Sequence, residues 1–135
     1  MKTRLVDTNI VIRYFVEDPK SNRYEKIFKL FEKVEKRDEL IYIDNLIIFE
    51  SYFVLTSYYK IPKSKVLDKL LALIDFSGIE MSNKAIIRAT FEKMKVKSID
   101  LVDAYLIELA ISKNLQLYTN DKDFKKAGIE TIQLC

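Results

Sequence analysis

The sequence predicts an α/β fold: a parallel β-sheet flanked by helices on both faces, in a single domain spanning residues 1–135. Three observations predict it. Short β-like runs alternate with helical stretches from one end to the other. Gly and Pro are scarce, two of each, which disfavours a turn-rich all-β sandwich. Apolar residues make up 49% of 135 positions, enough for a hydrophobic core in one domain of ordinary size.

The elements follow in order. Arg4 to Asp7 reads as a short buried strand, and Ile10 to Val16 as a short helix broken by Asp18 and Pro19. Asn22 to Lys36 carries Tyr24, Ile27, Phe28, Phe31 and Val34 at helical spacing, with a charged outer face. Leu40 to Ile43 is β-like. Asn45 to Tyr59 is almost continuously apolar and too long for a strand, so it reads as a buried helix with Asn45 as its N-cap. Pro62 stands near the first turn of a helix that runs to about Phe76 and stops at Ser77 and Gly78. Ile79 to Met81 is a brief strand, and Asn83 caps a helix through Lys95. Asp100 caps the apolar helix Leu101 to Lys113. Gln116 to Tyr118 is a strand, Asp121 to Ala127 a helical turn closed by Gly128, and Glu130 to Leu134 the last strand.

Composition excludes several chemistries. There is no His, so a Ser-His-Asp or Cys-His mechanism and an imidazole zinc site are ruled out. The single Cys, Cys135, cannot form an intrachain disulfide, which fits a reducing compartment. Chemistry must come from carboxylates, Lys, Ser, Thr or Tyr, and carboxylates favour hard cations such as Mg²⁺ or Mn²⁺. The net charge of +3 permits nucleic-acid binding without demanding it. No stretch approaches the roughly 18 apolar residues of a membrane span, and the N-terminus lacks a signal-peptide run. The expectation is a soluble cytoplasmic protein with no membrane partner.

The carboxylates carry the functional signal. Glu50 is the one charged side chain between Asn45 and Tyr59. A buried carboxylate is unfavourable unless paired or metal-bound, although a Glu that reaches solvent explains it equally well. Asp103 interrupts an apolar run in the same way, but an Asp in a first helical turn also favours the helix dipole. Asp7 and Asp121 both follow strands, where the working site of an open α/β sheet lies. Each has a plain alternative as a turn or cap residue. Four carboxylates drawn together repel and need a cation or a shared proton. With Mg²⁺ or Mn²⁺ such a cluster hydrolyses phosphodiesters without His.

At these residues the chain resembles the PIN domains and, within them, the VapC-type toxin ribonucleases. Leu5, Val6, Asp7, Thr8 and Asn9 resemble the first family motif. Ile48, Phe49 and Glu50 resemble the second, and Asp100, Leu101, Val102, Asp103 and Ala104 the third. Thr119, Asn120, Asp121, Lys122, Asp123 and Phe124 resemble the fourth. The resemblance covers nearly the whole chain. It implies that Asp7, Glu50, Asp103 and Asp121 hold Mg²⁺ or Mn²⁺, with Asp123 an alternative to Asp121, and that Thr8 or Thr119 orients water or a ligand. It also implies an RNA substrate, a cognate antitoxin and a homodimer. The aromatic residues Tyr52, Phe53, Tyr58 and Tyr59 support an interface only loosely, since core packing explains them as well. Two other readings stay open: a PIN-type nuclease of RNA processing, and a non-catalytic domain that binds nucleic acid or protein. A phosphate-transfer domain of the haloacid-dehalogenase kind is disfavoured, because Asn9 stands where its second Asp belongs.

Overall fold

The computed structural model describes all residues, Met1–Cys135. The chain is mixed α/β, and every strand pairing in it is parallel. It forms two compact units, Met1–Lys84 and Ala85–Cys135. No helix is long and apolar enough to cross a membrane.

The first unit holds strands β1 (Arg4–Leu5), β2 (Ile41–Tyr42) and β3 (Ile79–Glu80), with β2 in the centre. Arg4 stands opposite Ile41, and Ile41 opposite Ile79. The ladder continues past the formal strand ends: the Val6 amide donates to Tyr42 O at 3.3 Å and the Ile43 amide to Glu80 O at 2.9 Å. Helices α1 (Thr8–Val16) and α2 (Glu25–Glu35) link β1 to β2, while α3 (Asn45–Phe53) and α4 (Lys63–Ile74) link β2 to β3. Crossovers of this kind are what parallel neighbours require. Helix α1 packs on α2 and α3, and α3 on α4. Val11, Phe31, Ile43, Ile48, Leu67 and Ile74 are fully buried and form the core of this unit.

Gly78 fixes where α2 meets β3. Its amide donates to Val34 O at 2.8 Å. A Cβ there would collide with the Glu39 carbonyl oxygen and lie 2.6 Å from that of Val34. Only glycine permits this approach.

Several helical details differ from the sequence reading. The expected helix Asn22 to Lys36 opens with a 3₁₀ turn, Asn22–Tyr24, before α2 begins. The N-cap of α3 is Asp44, whose carboxylate accepts from the Leu46 amide at 3.0 Å; Asn45 is the first helical residue. The expected single helix through Tyr59 changes character at Val54–Tyr58, which is a π-helical turn. The Thr56 hydroxyl donates to Tyr52 O at 2.8 Å, a back-bond that loosens an α ladder, and the Tyr59 amide reaches Val54 O at 3.1 Å.

The second unit contains α5 (Lys84–Val96, from Ala85 onward), α6 (Leu101–Lys113), β4 (Leu117–Tyr118) and β5 (Thr131–Ile132). Leu117 stands opposite Thr131 and Tyr118 opposite Ile132. A 3₁₀ segment, Lys122–Ala127, joins the strands, buries Phe124 and ends at Gly128 with φ 77°. The left-handed backbone at that stop suits glycine. Thus the strands hydrogen-bond as a set of three and a set of two.

Candidate functional site

In the first unit, Asp7 and Glu50 line one cleft of about 310 Å³ together with Thr8, Asn9, Arg13 and Tyr59. Asp7 follows β1 and caps α1, its Oδ1 accepting from the Thr8 amide at 2.7 Å. This capping is why α1 begins at Thr8 rather than at Ile10. Thr8 is 7% exposed, and its buried Oγ1 has no hydrogen-bond partner. A hydroxyl left over in the wall of an acidic cleft fits a bound water or ion. Glu50 is exposed. The desolvation argument drawn from its apolar neighbours therefore does not hold: the helix turns this carboxylate to solvent at the cleft.

In the second unit, Asp100, Asp103 and Asp123 line a cleft of about 440 Å³ that Lys93, Lys97 and Lys126 also line. Asp103 is half-buried in the first turn of α6. Burial pushes its carboxyl above the usual value, and the charges of Asp100, Asp121 and Asp123 push it further the same way. Lys93 is engaged with Glu108 at 2.9 Å, while Lys97 and Lys126 are exposed.

Asp100 is the residue that sequence reasoning misplaced. It occupies the N-cap position of α6, but its side chain makes no capping hydrogen bond. Its carboxylate lines the cleft beside Asp103 instead. An Asp before an apolar helix looks like a cap in sequence, and nothing local distinguishes the two uses.

The fourth motif folds on itself. The Thr119 hydroxyl oxygen accepts from the Asp121 amide at 3.0 Å, so this oxygen shapes the loop. Asp121 Oδ1 accepts from the Asp123 amide at 2.9 Å and caps the 3₁₀ segment. Of the two acids, Asp123 lines the cleft.

No three acidic side chains group tightly enough to form a closed cation cage. The residues fit an open site instead. Mg²⁺ keeps several waters and takes one or two carboxylates plus substrate phosphates, and oxygen donors are the ones it prefers. In the second unit the mutual repulsion around Asp103 suits a cation with its water shell, and in the first the spare Thr8 hydroxyl suits a bound water.

Comparison with known proteins gives three findings. The chain is similar to the crystal structure of Mycobacterium tuberculosis VapC20, described as a Sarcin-Ricin loop cleaving toxin, at 14% identity. That alignment covers 95% of this chain and 96% of VapC20 with a TM-score of 0.39. No curated protein sequence matches the chain. The family model of the PIN domain matches residues 4–130, nearly all of the chain and both of its units. This protein belongs to the PIN-domain family.

Proposed function

We propose that this PIN-domain protein is a metal-dependent endoribonuclease that hydrolyses RNA phosphodiester bonds, acting as the toxin of a VapBC-type toxin–antitoxin pair. The observation that carries the reading is Asp103, a half-buried carboxyl among three like charges, in a cleft that the exposed Lys97 and Lys126 also line. Such an arrangement is unfavourable without a cation and suits a metal together with a phosphate.

By the motif resemblance, Asp7 and Glu50 of the first unit and Asp103 of the second are metal ligands. Asp123 supplies the fourth carboxylate, and Asp121 holds the loop that presents it, with a remaining oxygen free to contribute. When bound, Mg²⁺ or Mn²⁺ activates water and neutralises charge gathering on the phosphate oxygens. Lys97 and Lys126 face the phosphate backbone, and Thr8 positions a water through its spare hydroxyl. RNA is the substrate, a cognate antitoxin holds the enzyme inactive, and the protein works as a homodimer in the cytoplasm; these last features rest on the motif resemblance.

The test combines cleavage with a readout independent of it. Purified protein is expected to cleave RNA with Mn²⁺ or Mg²⁺, and to lose cleavage in excess EDTA or on Asp7→Asn or Asp103→Asn. Mn²⁺ is expected to raise the melting temperature of the wild type, because a ligand that binds the native state stabilises it. It should not do so in Asp103→Asn. Cleavage that persists in EDTA or in both variants removes the proposal. Growth arrest on expression, relieved by the product of an adjacent short gene, separates a toxin from an RNA-processing nuclease.

A further inference from the structure

The geometry points to Tyr59 as a base-stacking platform beside the Asp7–Glu50 cleft, a positioning residue for an unpaired nucleotide. The inference rests on the nuclease reading of that cleft.

It begins with helical register. Tyr59 lies nine residues after Glu50, about two and a half turns of an α-helix, which would place the two side chains on opposite faces. They nevertheless line the same cleft. The π turn at Val54–Tyr58 lies between them: its wider winding, closed by the hydrogen bond from the Tyr59 amide to Val54 O, slows the rotation and lessens that offset. π turns are uncommon and often mark functional sites.

The aromatic group so delivered is accessible. Tyr58 is 77% exposed and Tyr59 36% exposed. Their rings meet edge-to-face, with centroids 5.0 Å apart and planes at 79°, so Tyr58 braces Tyr59. Leaving two adjacent tyrosines in water gains the fold little by way of core burial. The cleft also contains Arg13, partly exposed, hydrogen-bonded to Glu17 at 2.7 Å and set over the Tyr24 ring. The cleft therefore presents a ring, a guanidinium and two carboxylates. A base stacked on an aromatic ring, with its phosphate near an arginine, is how proteins hold single-stranded nucleic acid. A base within a duplex is already stacked on its neighbours and cannot use the ring. Tyr59 is a positioning residue here: it holds the nucleotide while the carboxylates serve the reaction.

The experiment uses the full chain and a fluorescein-labelled seven-nucleotide single-stranded RNA, with a copy carrying one abasic position and a duplex of the same sequence. Dissociation constants are measured by anisotropy in Ca²⁺, and cleavage separately in Mn²⁺. Tyr59→Ala is expected to weaken single-strand binding about tenfold, the size of one lost base–aromatic stack. It should raise KM more than it lowers kcat, and Tyr59→Phe should restore both. The abasic RNA should bind the wild type about as weakly as intact RNA binds Tyr59→Ala. Tyr59→Ala binding within twofold of wild type, Tyr59→Phe as weak as Tyr59→Ala, or equal wild-type affinity for duplex and single strand overturns the inference. A wild type that binds single strands through Tyr59 but cleaves nothing overturns the nuclease reading and leaves the platform standing. A wild type that cleaves RNA with unchanged binding in Tyr59→Ala does the reverse. Loss of a concentration-dependent dimer in Tyr59→Ala, with RNA binding intact, assigns the tyrosines to a protein interface and overturns the inference.

Discussion

The carboxylate of Asp121 accepts a hydrogen bond from the backbone amide of Asp123 at 2.9 Å, so one acid of the pair holds the other in place. Asp123 lines the lysine-bordered cleft with Asp103, while Asp121 begins the 3₁₀ segment as its cap. The two substitutions should therefore differ. Asn caps as well as Asp, so Asp121→Asn keeps the loop and is expected to lower cleavage less than tenfold. Asp123→Asn removes a cleft charge and is expected to lower it at least a hundredfold. Rates for the two variants under identical Mn²⁺ decide this; equal losses would show that the acids act as one.

Asp103 makes stability depend on pH in a defined direction. Its folded carboxyl titrates above its ordinary value of 3.8. The folded state therefore binds this proton more tightly than the unfolded state does. The resulting stability is fully present below the unfolded value and is lost as pH rises through the folded value. At neutral pH, without metal, the Asp103 charge opposes folding. Asp103→Asn is expected to raise the metal-free melting temperature at pH 7 by a few degrees. The two melting curves should converge below pH 3.8. A variant less stable than wild type at pH 7 contradicts the cluster's repulsion.

Asp7 has a structural and a chemical role that substitution can separate. Asp7→Asn keeps an oxygen for the Thr8 amide and is expected to melt like the wild type while losing cleavage. Asp7→Ala removes the cap and is expected to lose about 1 kcal/mol as well. Chemical denaturation of the three proteins measures it. Equal stability in the Asn and Ala variants would mean that the cap contributes nothing.

The buried Thr8 hydroxyl has no partner in the protein, which costs a hydroxyl about 1–3 kcal/mol. Thr8→Val keeps the shape and removes the polar atom. It is expected to stabilise the metal-free protein by on the order of 1 kcal/mol. It should also reduce the rise in melting temperature that Mn²⁺ produces. A large destabilisation would show that the hydroxyl is already satisfied.

Gly78 admits no side chain, because two backbone carbonyls occupy the space. Gly78→Ala is expected to destabilise the protein by about 2 kcal/mol or more, since the clash is with backbone and not with a mobile side chain. Urea denaturation tests it; a variant as stable as wild type would mean that the α2–β3 junction yields at little cost.

Much of this was legible in the sequence because the signals are local. The alternation of elements came from hydrophobic periodicity, and the stop at Gly128 from its tolerance of positive φ. Asp7 and Asp121 follow β1 and β4, as read, since an Asp beyond a short apolar run suits both a strand end and a cap. Cap identity went astray by one residue at Asp44, because Asp44 and Asn45 are equally good caps and register decides between them.

What local pattern could not supply was burial and partnership. Glu50 drew attention for its apolar neighbours, yet it faces solvent; which side of a helix is covered depends on what packs against it. Asp103 has the opposite history: a dipole-favouring Asp in sequence, it becomes the perturbed acid once Asp100, Asp121 and Asp123 fold around it. Asp100 reads as a cap and lines a cleft. The π turn between Glu50 and Tyr59 shows in no periodicity, because the segment Asn45 to Tyr59 is almost continuously apolar and a widened turn leaves no mark on it. The sequence by itself determined the parallel α/β class, the exclusion of His and disulfide chemistry, and the acids available. The tertiary structure decided which of those acids share a cleft, which are spent on caps and which face water, because electrostatic and burial energies depend on neighbours distant in the chain.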